Sequence, residues 1–222
     1  VPTAVVVGDH DEAILPAPYF VSYPEMVKLL GGTPVIVECG AEDGFRLTPD
    51  ALEAAITPKT RWLFLNMPGN PSGAVYSEAE LKALGAVLAK HPQVLVLSDE
   101  IYEHILFDGR AFVSFGKACP ELRDRTLIVN GVSKAYAMTG WRVGYAAGPA
   151  PLVKAMTTVQ SQSCTSVCAL AQAAALAALT GPQDCVAAFR AAFERRRDLV
   201  VAGIGAVDGL TLDAPEGACY AY

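Results

Sequence analysis

Gly131-Val-Ser-Lys-Ala-Tyr-Ala-Met-Thr-Gly-Trp-Arg-Val-Gly144 decides how the rest of this chain is read. It follows a β-rich run, residues 126–130. One lysine, Lys134, sits in a turn of small residues, and one arginine, Arg142, follows between Gly140 and Gly144. A lysine with small neighbours can be approached closely by a carbonyl compound and can form a Schiff base with it. A guanidinium fork nearby suits a phosphate. Most single lysines are solvated surface charges, so the weight of this reading comes from what surrounds the segment.

Outward from it, strands and helices alternate. Residues 12–15 read as a short strand ending at Pro16. Residues 23–30 read as an amphipathic helix closed by Gly31-Gly32, and residues 33–38 as a second strand. Thr48 caps a helix with Pro49 in its first position, running to about Ile56. Residues 61–66 form a buried strand, and Ser77 and Glu80 make a capping box for a helix over 78–90. Residues 94–98 are apolar but for Ser98 at the end, as in a parallel sheet covered on both faces. Residues 126–130 and 143–147 complete the strands. A long helical stretch starts near Pro151, breaks around 161–166 and runs to Leu179; another covers about 183–202. The pattern predicts an α/β domain with a mainly parallel sheet. Gly181-Pro182 is the expected boundary between a unit of residues 1–181 and a second beginning over 182–222.

In such sheets ligands bind beyond the carboxyl ends of the strands, and the candidate polar residues cluster there. Asn66-Met-Pro-Gly-Asn-Pro-Ser-Gly73 leaves a strand through a Pro/Gly-rich turn that holds Asn70 at the crevice. Ser98-Asp-Glu-Ile-Tyr-Glu-His104 follows the most apolar strand. A carboxylate there costs desolvation unless it is paired, so Asp99 is either a helix cap, a partner for a ligand's cationic nitrogen, or both. Tyr102 is a phenol donor; Glu100 and Glu103 read as solvated or structural, and His104 as a packed histidine. Pro16-Ala-Pro-Tyr-Phe-Val-Ser-Tyr-Pro-Glu-Met26 sets aromatics on a loop entering a helix. Phe20 there can stack on a flat ring or serve the core.

Composition narrows the classes. With 52% hydrophobic and 18% charged residues over 222 positions, the chain can bury a sizeable core. A net charge of −6 argues against a nucleic-acid surface, and Arg195-Arg196-Arg197 reads as a solvated helix face. No apolar stretch is long enough to cross a bilayer. Six scattered cysteines form no metal-ligand spacing and read as small packing residues, with Cys164 and Cys168 on one helix face. Free thiols fit a reducing cytoplasm.

An aldehyde for Lys134 and a phosphate for Arg142, carried on one ligand, describe pyridoxal 5′-phosphate. In order and spacing, residues 16–26, 70–76, 98–104, 130–149, 161–163 and 215–222 resemble the class-I aminotransferases of pyridoxal-phosphate fold type I, most of all the bacterial aspartate aminotransferases. The resemblance implies a three-layer α/β/α large domain followed by the start of a small α+β domain. It implies that Lys134 forms the Schiff base and shuttles the Cα proton, and that Asp99 pairs with the pyridine nitrogen. It gives Tyr102 and Asn70 the ring oxygen, Asn70 also the substrate carboxylate, Arg142 and Ser133 the phosphate, and Phe20 the ring face. It further implies an amino acid, aspartate or one similar, and a 2-oxo acid such as 2-oxoglutarate as substrates. The expected setting is a cytoplasmic homodimer with residues 161–166 approaching the partner's site. No metal, nucleic acid or membrane is expected.

The chain departs from the family pattern in three ways. Phe20 stands where tryptophan is common. Gly131 stands where a phosphate-binding serine is common, three residues before the lysine. The chain is also expected to be a piece of a longer protein that carries the glycine-rich phosphate loop and the carboxylate-binding arginine elsewhere. The readings left open are a β-eliminating lyase on the same fold, a non-catalytic sensor domain, and an inactive fragment.

Overall fold

The computed structural model describes Gly8 and residues 10–222; the first residues of the expected 1–181 unit lie outside the described part. Six strands form one sheet: β1 (Glu12–Ala17), β2 (Thr33–Glu38), β3 (Thr60–Asn66), β4 (Leu95–Asp99), β5 (Thr126–Gly131) and β6 (Gly144–Ala147). Their spatial order is β2-β1-β3-β4-β5-β6. The first five are parallel, and β6 runs antiparallel beside β5. This is the mainly parallel α/β sheet the alternation predicts.

The run Trp62-Leu-Phe-Leu65 shows why a parallel sheet needs cover on both faces, since all four residues are buried. Side chains alternate across a strand, so Leu63 and Leu65 enter one core and Trp62 and Phe64 the other. The first core is closed by α2 (Pro49–Ala55) and α3 (Glu78–Ala89), which contribute Leu52, Leu81, Leu84 and Leu88. The second is closed by α1 (Ser22–Leu29) through Tyr23 and Val27, with Leu152 and Met156 packed against it from α5 (Ala150–Ser163).

The expected start signals are present. The Thr48 hydroxyl accepts from the Ala51 amide at 3.2 Å. The Ser77 amide donates to Glu80 Oε2 at 2.7 Å while the Glu80 amide donates to Ser77 Oγ at 3.2 Å, which satisfies otherwise orphaned helix-end donors. The short helix α4 (Phe115–Ala118) was not legible in the sequence, because four residues are too few to show a period.

Beyond β6 lie α5, α6 (Ala169–Thr180) and α7 (Asp184–Gly205), with Gly181 and Pro182 between the last two. Among these three helices only Ala171 and Ala175 are buried. The packing role expected for the cysteines holds only for Cys39 and Cys119, which are buried, whereas Cys164, Cys168, Cys185 and Cys219 are exposed. Cys164 and Cys168 flank the break between α5 and α6 rather than sharing a helix face, because α5 ends at Ser163. Among the described residues, no helix is long and apolar enough to cross a membrane, and no group of three or more His, Cys, Asp or Glu could hold a metal ion.

Candidate active site

The carboxyl edge of the sheet carries the polar residues. Asn66 ends β3 and stands opposite Asp99, which ends β4 and stands opposite Val129 near the end of β5. Each strand then turns away in a loop, and these loops bring together residues far apart in sequence.

Asp99 is the centre. Its Oδ2 accepts from the Tyr23 hydroxyl at 2.7 Å and its Oδ1 from the Ile101 amide at 3.2 Å. The second bond closes a turn at residues 99–101; no helix follows Asp99, so the expected helix cap is not formed. Burial raises the Asp99 carboxyl above its ordinary range; the Tyr23 and Ile101 bonds and the charge of Lys134 pull the other way without cancelling it. Burial and the Asp99 charge hold the Tyr23 phenol well above its own range, so it stays a donor. Asn66 completes this corner. Its Nδ2 donates to the Asp99 carbonyl at 3.1 Å, and its Oδ1 accepts from the Asn70 amide at 2.7 Å. Asn70 is thereby tied to the Asp99 strand end through one intervening side chain.

Lys134 is half-buried, with Nζ 5.4 Å from the centre of the Tyr102 ring. Tyr102 is buried, and its hydroxyl meets that of Tyr220 from the C-terminal segment. The loop carrying Asp99 and Tyr102 is anchored from beneath by Glu100. That side chain is 2% exposed, and its Oε1 accepts from Ser98 Oγ at 2.8 Å, Ser114 Oγ at 2.9 Å and the Phe115 amide at 3.1 Å. Glu100 is therefore structural rather than solvated. Asn130 anchors the lysine loop: its side chain donates to Glu103 at 2.7 Å and accepts from the Gly131 amide at 2.7 Å.

Gly131 explains one sequence departure. A Cβ there would meet the Val143 carbonyl oxygen at 2.8 Å and Gly144 Cα at 3.1 Å. With β6 this close, the position holds no side chain, and no serine contact is available from it.

Three expected residues lie outside the Asp99–Tyr102–Lys134 cluster. Arg142 is exposed, in left-handed backbone (φ 57°, ψ 45°), and its Nη1 donates to the Thr139 carbonyl at 3.0 Å. Ser133 is half-buried beside Lys134. Phe20 is 38% exposed and packs edge-on against Tyr23, with ring centres 5.5 Å apart; it touches the site through Tyr23.

The family model for aminotransferase class I and II matches residues 2–222. This chain belongs to that family. It is 58% identical over 212 residues to an aspartate/prephenate aminotransferase of Cereibacter sphaeroides, an alignment covering 96% of this chain and 53% of the relative. It is 55% identical to an aspartate aminotransferase of Rhizobium meliloti, covering 96% of this chain and 52% of that one. The crystal structure of the aspartate aminotransferase from Rhizobium meliloti superposes with a TM-score of 0.96 at 52% identity, covering 98% of this chain and 54% of the solved one. The chain thus spans about half the length of the aminotransferases it matches.

Three residues of this cluster were not singled out from sequence. Tyr23 lies on the buried face of α1, where periodicity reads it as core. Asn66 was quoted as a strand end without a role. Tyr220 stands in a segment more than a hundred residues from Tyr102, and only folding pairs the two hydroxyls.

Proposed function

We propose that the full-length protein is a pyridoxal 5′-phosphate-dependent aminotransferase. It moves an amino group from an amino acid, aspartate or one similar, to a 2-oxo acid such as 2-oxoglutarate. The reading rests on one observation above all: a family member brings an amine, a phenol and a desolvated carboxyl together at the carboxyl edge of its sheet.

The chemistry of the donor set fits the cofactor. Asp99 is an acceptor for a protonated ring nitrogen, Tyr102 and Asn70 are donors for the ring oxygen, and Lys134 is the amine for the aldehyde. Arg142 and Ser133 would take the phosphate and Phe20 a ring face. When bound, the cofactor supplies an aldehyde that condenses with amines and a ring that accepts the electrons left when the substrate Cα loses its proton.

This chain's residues do the rest. Asp99 favours the proton on the ring nitrogen, and its desolvated setting strengthens that pairing. Lys134 Nζ takes the proton from the substrate Cα and returns it to the reacting skeleton. Asn70 also orients the substrate carboxylate. We assign residues 1–181 to the cofactor-binding domain and 182–222 to the start of a smaller one. We also propose a cytoplasmic homodimer, with residues 161–166 near the partner's site.

The test is covalent trapping. The protein is incubated with pyridoxal 5′-phosphate, reduced with borohydride and digested, and the labelled lysine is found by mass spectrometry. A dominant adduct on Lys134, lost in Lys134→Ala, is expected. Labelling spread evenly over Lys28, Lys59, Lys82, Lys90, Lys117 and Lys154 overturns the reading. If the full-length protein loads at Lys134 yet releases pyruvate from cysteine-type substrates without a 2-oxo acid, it is a β-eliminating lyase.

A further inference from the structure

Resting on that functional reading, we propose that Tyr220 is a positioning residue: its hydroxyl donates to Tyr102 and leaves the Tyr102 proton free for the phenolic oxygen of the cofactor.

The C-terminal segment is fixed against both loops of the site. The Gly217 amide donates to the Gly73 carbonyl at 3.0 Å, and the Ala218 amide to the Ile105 carbonyl at 2.9 Å. The Phe107 amide donates to the Glu216 carbonyl at 3.0 Å. The Glu216 carboxylate accepts from Arg110 at 2.9 Å, from Arg46 at 3.3 Å and from the Val75 amide at 3.1 Å. Approach is close: a Cβ on Gly217 would stand 2.7 Å from the Ile105 carbonyl oxygen. Held this way, the segment presents Tyr220 to Tyr102 edge to face, with ring centres 5.8 Å apart and the two hydroxyls hydrogen-bonded.

In this structure either hydroxyl can be the donor. A phenol has one proton. Once the Tyr102 proton is drawn to a ligand's oxygen, the bond between the two tyrosines can be made only with the Tyr220 proton. A hydroxyl that accepts a hydrogen bond also becomes a stronger donor, by roughly 10–30%. The direction of the pair is therefore set by the ligand, and the pair in turn strengthens the donor the ligand meets. The titratable groups facing Tyr102 are Tyr220, Cys219, Asp99, Lys134 and, from α1, Tyr23.

The experiment uses the full-length protein loaded with pyridoxal 5′-phosphate. Tyr220→Phe keeps the ring and its packing and removes only the hydroxyl. The readout is the pH at which the visible absorption of the lysine-bound cofactor changes. Weaker donation to the phenolic oxygen leaves that oxygen and its neighbouring nitrogen holding their shared proton more tightly, so the midpoint rises. A rise of roughly 0.3–1 unit is expected, equivalent to the net worth of one neutral hydrogen bond. In a Tyr102→Phe background the same substitution should move nothing, an outcome that a merely structural role for Tyr220 does not give. A wild type that loads normally while Tyr220→Phe titrates as it does overturns the assignment, as does an equal shift in both backgrounds. A wild type that takes up no cofactor overturns the functional reading and the assignment with it.

Discussion

Glu100→Ala should destabilise the protein by about 3 kcal/mol at pH 7. The side chain is 2% exposed, and one oxygen accepts from two hydroxyls and the Phe115 amide. The hydroxyls of Ser98 and Ser114 can rotate toward other acceptors, but the Phe115 amide cannot. An orphaned buried donor costs about 1–3 kcal/mol, and the emptied volume adds a cavity cost. Relief of a buried charge offsets part of this.

Glu100→Gln keeps the shared oxygen and should cost no more than about 1 kcal/mol, within the net worth of one hydrogen bond. The pH dependence has a definite sign. Burial, opposed by the three hydrogen bonds, raises the Glu100 carboxyl above its ordinary range. Below the unfolded pKa, about 4.3, both states are protonated and there is no penalty. Between the unfolded and folded values the unfolded state loses its proton first, so stability falls as pH rises; above the folded value the penalty is constant. The Gln variant lacks that penalty and should gain on wild type from pH 4 upward. Urea unfolding followed by circular dichroism at several pH values measures both effects. An Ala variant within about 0.5 kcal/mol of wild type, or a Gln variant as unstable as Ala, refutes the reasoning, because a surface substitution away from buried features does no more than that.

Two further substitutions test the site's supports. Tyr23→Phe removes one of two donors to the Asp99 carboxyl, a bond worth about 1.5–3 kcal/mol to a charged acceptor and about 1 to a neutral one; because burial raises the Asp99 carboxyl, the loss should be larger at pH 8 than at pH 4, and equal losses in denaturation at the two pH values would show that the bond is not charge-assisted. Gly73→Ala puts a Cβ at φ 70°, 2.6 Å from Pro215 Cβ and 2.8 Å from the Gly217 oxygen; left-handed strain of about 1–3 kcal/mol and displacement of the C-terminal segment should speed limited proteolysis there, and an unchanged cleavage rate would sink the docking argument.

The strand run of residues 61–66, the Ser77–Glu80 box, the Thr48-Pro49 start and the glycine-flanked Lys134 segment were all legible in the sequence. Each depends on neighbours a few residues away, so local steric and hydrogen-bonding rules suffice to read it. The sheet-end positions of Asn70, Asp99 and Lys134 were legible too, because a parallel sheet puts every strand's exit on one edge. Cys164 and Cys168 were misread for a local reason: their spacing fits one helix face, but the helix stops at Ser163.

The chain by itself determined a strand–helix alternation, a mainly parallel sheet and the residue types waiting at its carboxyl edge. Tertiary structure alone decided which side chains meet. Tyr23 reaches Asp99 across 76 positions and Tyr220 reaches Tyr102 across 118; Glu100 becomes an anchor only because Ser114 and Phe115 pack beneath it. Such contacts leave no period or spacing in the sequence, since the distance between two residues in space is set by how helices and loops close over the sheet, not by their separation along the chain.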